Sequence, residues 1–275
     1  MTLIRFVTAL ALIVVPALPH AQPARDMHAP FDKILDSYVR DGLVYYRWLQ
    51  SERRPLDQYV LSLDVPAAEV AAWPQAERLA FWINAYNAFA LKTVLDKYPI
   101  KGLSKDYPVN SIRQIPGAFD QIPYRVAGRS LTLDAIEQTV IIPMGDARAI
   151  LALGRGAIGS GRLRSEVYRA AKLNEQLEQA VSECVKRFPC FKIDRGENTV
   201  TVSPLFGWRQ DAFIAMFAKP GGPWSDRSPI EQALLGMAAP KLFNSERELL
   251  LQNTFRLTYG AFDWRLNDLT GGVPN

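Results

Sequence analysis

Leu79-Ala-Phe-Trp-Ile-Asn-Ala-Tyr-Asn-Ala-Phe-Ala-Leu91 is apolar nearly all round a helical wheel. A surface helix carries one apolar stripe, whereas a helix apolar on every side lies at the centre of a domain. Pro74 stands where such a helix opens and Pro99 where it must have stopped, so the spacing predicts one helix from Pro74 to about Lys97. The elements on either side have to wrap it.

Upstream, Phe31, Ile34, Leu35 and Tyr38 recur at helical spacing, and Asp41-Gly42 ends that helix. Leu43–Tyr46 reads as a short strand, and Leu56–Leu63 as a helix behind Pro55. Downstream, Lys101–Asp120 is a long connection. Ile122–Val126 and Ser130–Leu131 form a hairpin across Ala127-Gly128-Arg129. Thr132 caps a helix running to about Ile142, and Ala149–Leu153 is a short apolar strand or buried turn. A helix over Lys172–Arg187 precedes a second hairpin, Phe191–Ile193 with Thr199–Ser203. Trp208–Phe217 is helical, and Pro220-Gly-Gly-Pro223 is a break. Two helices then open on the capping boxes Ser228-x-x-Glu231 and Ser245-x-x-Glu248. Phe255–Leu266 reads as a final strand that docks into the core. The expectation is an α+β single domain with a central buried helix, several amphipathic helices and a small, mostly antiparallel sheet.

The first residues have another character. Arg5 precedes the apolar run Phe6–Leu18, which is too short to span a bilayer, and Pro19-His20-Ala21 offers a cleavage site. Residues 1–21 are therefore expected to be a signal peptide, 22–30 an N-terminal tail and 31–267 the domain. The mature protein is expected to be periplasmic or secreted, with no membrane span. The formal charge is +4, and the basic residues are interspersed with acids, which does not make the stripe that nucleic acid needs. Cys184 and Cys190 can pair in an oxidising compartment, closing a short loop worth about 2 kcal/mol. Two cysteines alone are too few to hold zinc.

There are two histidines, His20 and His28. The first lies in the signal peptide and the second in the tail, so the sequence predicts a folded body without histidine. That excludes Ser-His-Asp and Cys-His nucleophile systems and His-based metal sites.

Several motifs, in order, resemble one family. They are Asp41-Gly42-Leu-Val-Tyr45, Phe81-Trp-Ile-Asn-Ala-Tyr-Asn87, Val126-Ala-Gly-Arg-Ser-Leu-Thr-Leu-Asp-Ala-Ile-Glu137, Gly145-Asp-Ala-Arg148, Leu163-Arg-Ser-Glu-Val-Tyr168, Ser203-Pro-Leu-Phe-Gly-Trp208 and Tyr259-Gly-Ala-Phe-Asp-Trp-Arg-Leu-Asn267. Together they resemble the bacterial exported proteins of domain-of-unknown-function family 547. The resemblance implies fold and export more than activity. Where the family has histidine this chain has Gln138 and Ile150, and where it has cysteines this chain has Arg155 and Ser160. The resemblance thus implies a member without the family's reactive groups, one that binds or scaffolds without catalysis and needs no cofactor or metal.

Candidate residues follow. Gly154-x-Gly156-x-x-Gly159 mimics a dinucleotide fingerprint, but Gly161, Arg162 and Arg164 occupy the place of the apolar helix it needs. The same loop reads as an anion nest flanked by arginines, or as a plain glycine-rich loop. Asn84 and Asn87, three apart, either tie the helix to loop backbone or line a cleft. The expected ligand site is a polar, anion-accepting cleft of Asn84, Asn87, Gln138, Arg155, Ser160 and Arg162, with a small molecule or envelope protein as partner. An alternative is an envelope hydrolase or transferase using Asp134, Glu137 or Asp211 as acid or base, with Ser160 a weaker nucleophile. Asp134 and Glu137 also suit simple compensation of a helix dipole. Asp211 and Asp263, beside Trp208 and Trp264, suit a carbohydrate surface or a core edge. A third reading is a structural component of an envelope complex, using residues 228–252.

Overall fold

The structure is a computed structural model that describes residues 26–270 except Leu103 and Pro220; the expected signal peptide lies outside the described residues. The chain runs through α1 (Ala29–Tyr38), β1 (Val39–Arg40), β2 (Leu43–Val44), α2 (Tyr46–Ser51), α3 (Arg54–Ser62), α4 (Ala67–Ala72) and α5 (Gln75–Leu95). The hairpin β3 (Tyr124–Val126) and β4 (Arg129–Leu131) leads to α6 (Leu133–Ile136), which widens into a π-helix over Glu137–Ile141. A 3₁₀ segment, Ala147–Ala152, precedes α7 (Leu173–Val185), β5 (Phe191–Asp194) and β6 (Thr199–Val202). The rest is α8 (Pro204–Trp208), α9 (Gln210–Phe217), α10 (Pro229–Ala238), α11 (Asn244–Gln252) and β7 (Arg256–Tyr259). The fold is α+β.

Helix α5 is the centre, and every residue from Leu79 to Leu91 is buried. Helices α2, α3 and α6 pack around it. Its two amides inside this apolar sheath are fully used. Asn84 Nδ2 donates to Tyr168 O at 2.9 Å and Asn84 Oδ1 accepts from Tyr168 N at 2.9 Å. Asn87 does the same with Ala152 O (3.1 Å) and Gly154 N (2.8 Å). Each asparagine thus takes the place of a strand edge for one loop, sparing buried backbone groups a penalty of about 1–3 kcal/mol each. Farther along, Phe89 stacks on Tyr124 at 4.4 Å, and Thr93 Oγ1 lies 2.7 Å from the Tyr124 hydroxyl.

A second apolar cluster gathers Ile150, Val181, Phe206, Phe213, Leu234 and Leu250. It is covered by the sheet β5-β6-β7, in which β5 and β6 are antiparallel and β7 lies parallel to β6, pairing Val200 with Leu257. Cys184 and Cys190 are bonded across the turn between α7 and β5, with Cα atoms 5.2 Å apart. The C-terminal segment reaches from this cluster to the first. Ala157 bridges to Leu266, Val44 N donates to Asn267 O at 2.8 Å, and Tyr46 Oη donates to Asn267 Oδ1 at 2.9 Å.

Several expectations need correction. Tyr46 starts a helix, so the strand stops at Val44. Of the two readings for Ala149–Leu153, the buried turn holds and the strand does not, the segment being mostly 3₁₀. The Trp208–Phe217 helix is two helices broken at Arg209. The second of the two capping-box helices opens two residues earlier than expected, with only the glutamate half of a capping box. Phe243 N donates to Glu246 Oε2 at 3.0 Å, while Ser245 Oγ accepts from Arg195. Of the final strand only Arg256–Tyr259 is regular.

The largest correction concerns His28, which is part of the folded body. The segment Asp26–His28 forms the turn that leads into α1, with His28 N donating to Asp26 Oδ1 at 3.1 Å and Ala29 N to Asp26 O at 3.1 Å. The imidazole lies 6.0 Å from the rings of both Tyr59 and Phe81, with Nδ1 2.6 Å from the Tyr59 hydroxyl. Sequence position suggests a loose tail, but the apolar faces of α3 and α5 supply a seat for the ring. Burial pushes its pKa down to about 4, against the pull of the Asp26 carboxylate and with a push from Arg169. The unfolded chain therefore takes up this proton at a higher pH than the native protein does. The stability it holds above pH 6.5 is lost as pH falls through that value toward 4. His28→Gln is expected to remove about 1–2 kcal/mol of the loss in unfolding free energy between pH 7 and pH 5, measured by urea denaturation. An unchanged pH slope in the variant would refute the buried neutral imidazole.

Candidate functional site

The site grows from the start of α6. Thr132 Oγ1 accepts from Ala135 N at 3.1 Å and caps the helix, placing Asp134 and Glu137 in its opening turns. The helix then takes on i→i+5 bonding, a form concentrated at functional positions. Glu137 is 1% exposed. Its Oε1 accepts from Arg155 Nη2 at 2.7 Å and from Arg209 Nε at 2.8 Å. Arg155 comes from the glycine loop and Arg209 from the break between α8 and α9. Burial pushes the Glu137 carboxyl up, but the two guanidinium groups outweigh it and hold the acid below its ordinary range.

Arg155 is buried as well and donates Nη1 to Ile150 O at 3.3 Å and Leu153 O at 3.2 Å. Its guanidinium carbon lies 6.0 Å from the centre of the Tyr86 ring. The Tyr86 hydroxyl is buried with no hydrogen-bond partner among the described residues, and burial pushes its pKa up. Asp134 behaves differently from its neighbour. It is half-buried, and its carboxylate has no hydrogen bond or ion pair among the described residues. Burial raises its pKa and the negative Glu137 raises it further, against Arg209 and Arg113. Two carboxyls one helical turn apart are thus driven in opposite directions.

An aromatic shelf adjoins them. Trp208 is 46% exposed, and its ring lies 6.1 Å from Trp264 with an interplanar angle of 18°. Phe262 fills the corner at 5.0 Å from Trp208 and 4.4 Å from Trp264. Arg113 lies over Trp264 at 4.6 Å. Phe119 connects the shelf to the acid, its ring 6.0 Å from Trp264 and its carbonyl accepting from Asp134 N at 2.8 Å.

The six residues expected to share one cleft do not meet there. Asn84 and Asn87 spend both amide ends on backbone, as described above. Gln138 is exposed. Arg155 faces inward onto Glu137. Ser160 is buried and donates its hydroxyl to Ala157 O at 2.6 Å. Arg162 pairs with Asp41 and lines a separate groove of 350 Å³ with Arg164 and Glu183. The glycine loop is no open nest either. The amides of Gly154, Ile158, Gly159 and Ser160 all donate within the protein. Its glycines serve close packing, since a Cβ on Gly161 would lie 2.0 Å from Leu151 O.

Of the other carboxylates, Asp211 is exposed and Asp263 is held by Arg265 at 2.5 Å. Within 228–252 the exposed large apolar side chains are Phe243 and Leu251. A groove of 1180 Å³ opens elsewhere, beside His28, walled by residues such as Lys33, Tyr38, Trp73 and Arg169; none of the six lines it. Among the described residues no group of three or more His, Cys, Asp or Glu is placed to hold a metal, and no helix is long and apolar enough to cross a membrane.

The fold and site define an α+β protein with a buried glutamate–arginine core beneath an aromatic surface. Residues 70–185 match the model of the family described as protein of unknown function, DUF547. The match spans α5, Asp134, Glu137 and Arg155, whereas Trp208, Arg209 and the 262–264 segment lie outside it. No curated protein and no solved structure matches the chain.

Removing one partner of the Glu137 cluster leaves an uncompensated buried charge. Arg155→Met is expected to cost on the order of 3–5 kcal/mol in urea unfolding, and Glu137→Leu combined with Arg155→Met much less than the sum of the single changes. Strict additivity would show that the pair is not energetically coupled.

Proposed function

We propose that this is an exported binding protein whose ligand face is the aromatic shelf with Asp134. One contrast carries the reading. Asp134 is half-buried with its carboxylate unpartnered among the described residues, and its amide donates to the carbonyl of Phe119, whose ring meets Trp264 of the shelf, while Asn84, Asn87 and Ser160 spend their polar groups on backbone and Glu137 Oε1 is held by two arginines. A half-buried acceptor without a donor is costly for the fold and useful to a ligand. The Ser160 hydroxyl is spent on Ala157 O and Glu137 is tied by two arginines, which supports binding over turnover. Export, with cleavage after Ala21 and a periplasmic or secreted location, is supported by the apolar leader and by a cysteine pair suited to an oxidising compartment.

A second reading, acid catalysis, draws on the opposed shifts of Asp134 and Glu137, the arrangement by which enzymes separate an acid from a fixed anion. The two readings part on one variant. If the protein binds, Asp134→Asn weakens ligand affinity; if it is an acid catalyst, the variant still binds and loses turnover.

The intact mature mass is expected to begin at Gln22, read by mass spectrometry on protein from the native host. A thermal-shift screen of that protein against phosphates, carboxylates and glycans is expected to find a stabilising ligand, worth about 2.7 kcal/mol at 100-fold its dissociation constant. Equal stabilisation of Asp134→Asn would place the ligand elsewhere.

A further inference from the structure

We propose that the groove beside His28 is a second binding site, and that it takes a short apolar peptide with both termini free. The inference stands apart from the aromatic shelf, because neither Asp134 nor Trp208 lines this groove. At 1180 Å³ the cavity exceeds the roughly 300–1,000 Å³ usual for small-molecule pockets, so it suits a ligand several residues long. One wall is a single face of α1, where Pro30, Lys33, Ile34, Ser37 and Tyr38 recur at helical spacing. Another wall is Glu69, Trp73, Glu77 and Ala80, which follow one another across the joint between α4 and α5. Met27, Val65 and Trp73 pack against the main apolar core yet stay only partly buried, so the groove has an apolar lining.

Charge decides the class. Arg169 is spent on Asp26 and Asp32, and burial keeps His28 uncharged at neutral pH. That leaves Lys33, Glu69 and Glu77, all exposed and none with an ion pair or side-chain hydrogen bond among the described residues. They line one cavity, yet Lys33 pairs with neither glutamate, so the two signs are held apart within it. A fatty acid or a phosphate would suit Lys33 and meet two uncompensated carboxylates. An amphiphilic amine would suit the glutamates and meet Lys33. A peptide carries an ammonium and a carboxylate at opposite ends of an apolar body and answers both. Its ammonium goes to Glu69 and Glu77 beside the Trp73 ring, which also attracts a cation, and its carboxylate goes to Lys33. Ser37 and Ser62 are exposed in the groove to meet its peptide groups.

The experiment titrates the mature protein by calorimetry with tri- and pentapeptides of leucine and valine. The same peptides N-acetylated or C-amidated, decanoate, decyltrimethylammonium and phosphatidylcholine vesicles are separate probes. A free peptide is expected to bind, and capping either end should weaken it about tenfold or more. Lys33→Met should weaken the free peptide likewise and leave the C-amidated one unchanged. Glu69→Gln combined with Glu77→Gln should weaken the free peptide and spare the N-acetylated one. This crossed pattern shows which end each charge holds, and a general loss of folding does not reproduce it. Asp134→Asn should leave peptide affinity unchanged, so failure of the groove and failure of the shelf are told apart. Free and capped peptides binding alike overturn the assignment, as does binding of decanoate, decyltrimethylammonium or vesicles with no peptide bound. Cap-sensitive binding indifferent to the groove variants overturns it too, because the peptide would then sit elsewhere. Silence from every probe overturns the groove as a site.

Discussion

A helix buried on every side has no face to give to water, and α5 imposes that condition on the rest of the chain. Whatever touches it must be apolar or must bring its own hydrogen-bond partners. Asn84 and Asn87 solve the second problem by acting as fragments of backbone. Each presents an N–H donor and a carbonyl acceptor in one plane, and each seats a loop that would otherwise bury unpaired peptide groups. The glycine loop and the Tyr168 segment are therefore positioned by the central helix directly, with no sheet between.

That arrangement fixes Arg155. With Gly154 tied to Asn87, the next side chain has to enter the interior, where Glu137 meets it. A buried ion pair stabilises less than an apolar replacement of the same shape, because desolvation offsets most of the attraction. Its value here is positional. The Glu137 carboxylate reaches α6, the glycine loop and the break after α8 at once, and it brings parts of both apolar clusters to one point. Arg209 carries Trp208 with it, so the interior pair sets the stance of the exterior ring.

What the sequence discloses divides along local and distant interactions. The central helix, both hairpins and the Ser228 helix start are legible, because periodicity, prolines and turn residues act over a few positions. The cysteine pair is legible for the same reason. The π-turn at Glu137 leaves no local mark, and neither does the role of Arg209, which depends on a partner 72 positions away. Glycines 159 and 161 mislead in an instructive way. A loop that needs glycine to admit a phosphate and one that needs it to admit neighbouring backbone are written alike, and only the atoms at 2.0 and 2.7 Å from the missing Cβ distinguish them. His28 shows the reverse error, a residue dismissed for its place near a terminus although two helices distant in sequence hold it.

The contacts of residues 266–269 with the segment around Val44 set an order of events. Tyr46 and Asn267 are 221 positions apart, and Leu269 returns a hydrogen bond to Val44. The edge beside Gly42 thus stays open until residues 266–269 are present to cover it. Searching for a contact that remote slows folding. The pairing of residues 43–46 with 266–269 is therefore a closure that no local segment can make alone, and each side reaches its native partners only once the other is in place.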